Sequence, residues 1–155
     1  MKSPQRVVWS EGLLMSPQHL QQMDLYHEGS LSSRLDALDP LSWGVVRCMI
    51  DSHALASGSF KMESFAGVLP DGLGLALSTG DPELPASRPL EGHFPATQTS
   101  MDVFLGVPRE RDGIANYSND GSGRVRFRVA NRSVHDLTGQ AEAINVSFGQ
   151  RNAVI

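Results

Sequence analysis

His19 and His27 are residues whose type could do chemistry, as metal ligands on what reads as one helix. Eight residues apart, they share a similar face of a straight helix but stand about 12 Å apart along its axis, too far to hold one ion. No Glu-x-x-His or Cys-x-x-Cys accompanies them, so the spacing reads as surface or core-edge histidine, with no metal and no cofactor expected. Serine hydrolysis fares no better: there is no Gly-x-Ser-x-Gly elbow, and Gly121-Ser122-Gly123 sits in a polar stretch that reads as a hairpin loop. Gly72-Leu73-Gly74 lacks the third glycine and the following helix of a dinucleotide fingerprint. Nothing here calls for an enzyme.

Two patterns do suggest contact. Arg124, Arg126 and Arg128 alternate with Val125, Phe127 and Val129, which on a strand sets three guanidinium groups on one face and three apolar groups on the other. That face is either a solvated surface discouraging edge pairing or a dock for an acidic partner. The stretch Val7 to Gln22 is the most unusual. Trp9, Leu13, Leu14 and Met15 are large and apolar in an arm with few neighbours of its own, so they must pack on the body of the protein or on another chain.

The elements that position these residues follow from local signals. Arg6 to Leu14 reads as a short strand or extended arm broken at Gly12. Ser16-Pro17 opens a helix, because serine can cap an orphan amide and proline at the first helical position loses no hydrogen bond. Leu20, Met23, Leu31, Leu35 and Leu38, bridged by Tyr26 and His27, form one stripe at spacings of three and four. The helix is expected to run to about Ala37, weakened near Gly29 and closed by Asp39-Pro40.

Everything beyond reads as strands. They are Trp43 to Ile50, a hairpin Ser59 to Ser78 turning at Pro70-Asp71-Gly72, Met101 to Val107, Arg124 to Asn131 and Ile144 to Phe148, with a polar turn over Asp51 to Gly58. Prolines 82, 85, 89 and 95 make Thr79 to Thr99 a long loop or an edge. The fold class is therefore mainly β: a two-layer antiparallel β-sandwich with one N-terminal α-helix, a single domain over 1–155 divided into an arm (1–15), a helix (16–38) and a sandwich (41–155).

Composition agrees. At 155 residues one domain is the default, and 15 Gly and 9 Pro spread along the chain favour short elements joined by turns. Thirteen basic against 17 acidic residues leave a net charge of −4, with no surplus of cations for a nucleic-acid backbone. A lone cysteine, Cys48, excludes an intrachain disulfide and fits a cytoplasmic protein. The polar, interrupted N-terminus offers no signal peptide or membrane insertion. The Asn-x-Ser triplets at Asn116, Asn131 and Asn145 are read as chance.

The run VVWSEGLLMSPQHLQQMD, Val7 to Asp24, resembles the opening motif of the TssK family of type VI secretion baseplate subunits: a Trp-Ser-Glu-Gly arm leading into a Pro-Gln-His helix start. Leu41 to Asp51, then Leu55, Gly58 and Gly67 to Gly72, look like that family's next two strands and turn, and Arg126 to Leu137 is a weaker third block. The pattern departs at Met15-Ser16 and at Cys48. The resemblance implies a phage-like shoulder domain, similar to that of phage receptor-binding proteins, and a structural adaptor without catalysis. It implies docking onto baseplate wedge subunits (TssF/TssG-like), trimers in the full-length protein, and contact with the membrane complex only through a C-terminal head that, with a helical neck, is absent from this chain. Trp9, Glu11, Leu13, Leu14, Met15, His19, Arg124, Arg126 and Arg128 are the candidate contact residues. The competing reading from the residues is a carbohydrate-binding sandwich, which would need exposed aromatic platforms among Trp9, Trp43, Tyr26, Tyr117 and the six Phe.

Overall fold

The structure, a computed structural model, describes residues 5–95, 97–119 and 123–155. In chain order the elements are helix α1 (Pro17–Leu38), β1 (Gly44–Ile50), helix α2 (Ser52–Ala56), β2 (Ser59–Phe60), β3 (Met62–Val68), β4 (Gly74–Ser78), β5 (Arg88–Pro89), β6 (Tyr117–Ser118), β7 (Phe127–Val134) and β8 (Ile144–Arg151). Three sheets, ordered β1-β3-β4, β2-β5 and β6-β7-β8, together with one main helix make the chain mainly β, as its turn-rich sequence requires.

Two compact units divide the chain: one holds the N-terminal arm through Val46 with Gly67–Leu75, the other Arg47–Ala66 with Ala76–Ile155. In the first, α1 runs unbroken through Gly29, whose carbonyl accepts the Ser33 hydroxyl at 2.8 Å. It ends where Asp39, extended ahead of Pro40, still donates its N–H to the Leu35 carbonyl. The turn Leu69–Gly72 closes through Gly72 N–H to the Leu69 carbonyl and Leu69 N–H to the Leu73 carbonyl, both 2.9 Å. Gly72 has φ +86°, and a Cβ there would meet Ser32 Oγ at 3.2 Å, so both the backbone and its neighbour on α1 ask for glycine.

The second unit carries most of the core. Along β3 Met62, Ser64 and Phe65 are buried, and Phe60, Leu77 and Ala153 complete the packing. On β4 burial alternates strictly, the signature of a strand with one wet face. The β7–β8 hairpin pairs antiparallel over eight residues, Phe127↔Arg151 to Val134↔Ile144. Its connecting loop is organised by Asp136, which accepts from Thr138 N–H and Oγ1–H and from the N–H groups of Gln140 and Ala141. The Thr138 hydroxyl first, then the backbone donors, hold that carboxyl below the ordinary carboxylate range.

Four details depart from the sequence reading. Asp51 to Gly58 forms α2 rather than a plain turn, because Asp51 Oδ1 accepts the N–H groups of His53 and Ala54 at 3.0 Å and starts a helix. Among the described residues Met101 to Val107 makes a single bridge, Gly106↔Val154, in place of a strand. β7 begins at Phe127 instead of Arg124, since Asn152 caps the preceding backbone: its Nδ2 donates to Val125 O and its N–H to Arg126 O. β6 joins β7 in parallel, not antiparallel.

The proline-rich segment is an ordered edge, as expected: β5 adds two residues to β2, Ser59↔Pro89 and Phe60↔Arg88. Glu83 anchors the segment. Its carboxylate takes Arg151 N–H at 2.9 Å, Nε–H at 2.6 Å and an ion pair to an Nη at 2.5 Å.

Candidate docking surface

Arm and helix form one device in the first unit. Gly12, at φ +79°, turns the arm back with Leu13 N–H donating to the Ser10 carbonyl at 3.2 Å. The Trp9 ring then lies 6.1 Å from the His19 ring, and Arg6 Nε donates to the Tyr26 hydroxyl at 2.7 Å. From Trp9 back to Arg6, three extended residues span about 10 Å; from His19 to Tyr26, seven helical residues rise about 10.5 Å. The arm therefore runs extended and antiparallel along α1.

His19 has a local task. It sits at the third position of α1, where its Nδ1 accepts the Ser16 backbone N–H at 3.1 Å and lies 2.8 Å from Ser16 Oγ, closing a capping box in the place usually held by Glu or Gln. Groups of three or more His, Cys, Asp or Glu able to hold a metal are absent among the described residues.

The apolar stripe read from sequence divides in two. His19, Met23, Tyr26 and Ser30, spaced at four, three and four, are the half-buried face beneath the arm. Leu20, Leu31, Leu35 and Leu38 lie roughly 100° or more around the helix and are all exposed. The arm adds to them. Leu14 is 87% exposed, Met15 is open, Trp9 is 49% and Leu13 38% exposed, and Glu11 stands in solvent at the turn. Leu41, Trp43, Val45 and Val46 continue the exposed apolar run.

The arginines do not form the stripe expected of them. Arg124 lies outside β7 and is exposed. Arg126 is only 7% exposed and donates to the Pro108 carbonyl at 3.2 Å. Arg128 reaches the Pro82 carbonyl at 3.4 Å, with its Nε buried. The chain is not in a ladder before Phe127, which takes Arg124 and Arg126 off any strand face, while Arg126 and Arg128 tie loops to the hairpin.

Residues 19–155 match the family model described as Bacterial Type VI secretion, which includes EvfL, ImpJ and VasE. The chain belongs to that family. Among characterised relatives, the type VI secretion system baseplate component TssK1 of Pseudomonas aeruginosa is 34% identical over 135 residues, covering 84% of this chain and 29% of that protein. A crystal structure of TssK superposes with a TM-score of 0.86 at 25% identity, over 97% of this chain and 34% of the other. A chain of a type VI secretion system TssK-TssF-TssG baseplate subcomplex gives 0.83 at 22% identity, over 99% of this chain and 50% of the other. The fold is thus that of TssK, and the chain spans between about a third and a half of the solved chains it matches. No helix among the described residues is long and apolar enough to cross a membrane.

Sequence reasoning missed Arg6 and Tyr26 as the arm's second fastening. A cation three residues before Trp9 and an aromatic seven after His19 were the available signal, since those separations have equal length in an extended arm and a helix.

Proposed function

We propose that this chain is an adaptor module of a type VI secretion baseplate, docking its parent subunit onto wedge subunits of the TssF and TssG kind and acting by contact rather than catalysis. The observation that carries the reading is the run of exposed apolar side chains along the arm, α1 and the segment into β1. A relative named as a baseplate component and the likeness in fold to a chain of a TssK-TssF-TssG baseplate subcomplex support it. The full-length protein self-associates as a trimer in this reading, and the module works on the cytoplasmic side. Contact with the membrane complex is assigned to parts of the protein beyond this chain.

The test is co-purification with the wedge subunits after Trp9→Ala and, separately, Leu14→Glu. Leu14 is so exposed that its replacement leaves the fold unchanged, so lost binding reports lost contact. Full retention of binding by both folded variants overturns the arm's part in the reading.

A further inference from the structure

Arg6, Tyr26, His27, Ser30, Leu31 and Arg34 line a cleft of about 370 Å³ between the arm and α1, and no carboxylate is among its walls. His27, Ser30, Leu31 and Arg34 are spaced at three, four and seven, so α1 presents them together. Arg6 enters from the arm and is held by its Nε bond to the Tyr26 hydroxyl, with the guanidinium carbon 5.3 Å from the ring centroid. That fastening uses one of five guanidinium donors and fixes where the others stand. In a chain whose net charge is −4, two guanidinium groups converge on one small opening. By helical angle, Arg34 lies between the half-buried face and the exposed leucine stripe. Leu31 belongs to the stripe and to the cleft wall alike.

We propose that this cleft receives a carboxylate side chain from an acidic, amphipathic segment of a partner protein, whose apolar residues lie on the adjoining leucine stripe. Charge complementarity selects the carboxylate: a bidentate acceptor between two guanidinium groups gains the stronger, charge-assisted hydrogen bonds. The apolar neighbour selects a protein segment, because a free anion would leave the leucines uncovered. A nucleic acid would need a row of cations along its backbone, and the cleft offers two. The inference rests on the adaptor reading and adds to it the chemistry of the partner.

The experiment measures fluorescence anisotropy of a short labelled Leu/Glu peptide, with leucines and glutamates on opposite helical faces, against the full chain. Its Leu/Gln counterpart and inorganic phosphate are the comparison probes. The Leu/Glu peptide is expected to bind in a salt-sensitive way, and Arg34→Gln alone or with Arg6→Gln should weaken it about tenfold or more. Equal binding of the two peptides, or binding untouched by either variant, overturns the proposal. So does displacement of the peptide by low concentrations of phosphate, which marks a phosphate site. Arg34 is exposed and lies outside the Arg6–Tyr26 fastening, so Arg34→Gln preserves the fold and is the deciding variant, with circular dichroism verifying the fold of both. Wedge binding kept by Arg34→Gln, with no peptide binding by the native chain, removes this inference and leaves the adaptor reading standing. Absence of wedge binding by the native chain removes the adaptor reading instead.

Discussion

Replacing Glu83 by Ala tests how the proline-rich segment is held. The Glu83 carboxylate is 11% exposed and accepts three contacts from Arg151, one from the backbone and two from the guanidinium, whose side chain is 29% exposed. Removing one partner of a fully buried pair costs about 3–5 kcal/mol, chiefly through the charge left behind. Here Arg151 already reaches water and can rehydrate, so the loss should fall to about 2–4 kcal/mol. With a urea slope of about 2 kcal/mol/M for a chain of this size, the midpoint moves down by about 1–2 M. Glu83→Gln keeps one acceptor for the Arg151 N–H and should lose roughly half as much. The readout is urea unfolding followed by circular dichroism. An alanine variant within about 0.5 kcal/mol of the native chain would refute the reasoning, since the β5 pairing and the Arg128–Pro82 contact would then suffice to hold the segment.

A Cβ at Gly149 would lie 2.7 Å from Tyr117 Cε1 and 3.4 Å from Phe127. Gly149→Ala should therefore cost about 1–3 kcal/mol and disturb the stacked Tyr117–Phe127 pair, seen as a change in near-ultraviolet circular dichroism. The Asp51 carboxyl is lowered by the Ala54 backbone N–H first and then by Lys61, and Asp136 by the Thr138 hydroxyl. With folded values depressed, the unfolded chain binds more protons. The stabilisation is complete above the ordinary value near ~3.9 and disappears as pH falls through the lower folded values. Unfolding measured from neutral pH into this acid window should show Asp136→Asn with a shallower pH dependence than the native chain.

Much of the architecture was legible because its signals are local. Ser16-Pro17 and Asp39-Pro40 bound α1 to within a residue, and Pro70-Asp71-Gly72 located the hairpin turn. What was not legible depends on contacts distant in sequence. Nothing near Arg126 or Arg128 announces that Pro108 and Pro82 will take their hydrogen bonds, and nothing near Glu83 announces Arg151, 68 residues away. The arm's apolar residues were correctly singled out as unusual, but the leucines of α1 could not be told from core residues. Periodicity reports that a stripe exists and is silent on which neighbour covers it.

The uncovered leucines and arm bear on the order of events in a cell. If the arm and stripe are a docking surface, the groups that would recognise a proper partner also adhere to strangers. The chain's lifetime then depends on how soon its partners arrive, and by mass action their abundance raises its apparent stability. Synthesis in step with its neighbours, rather than any change to the chain itself, keeps such a module out of aggregates.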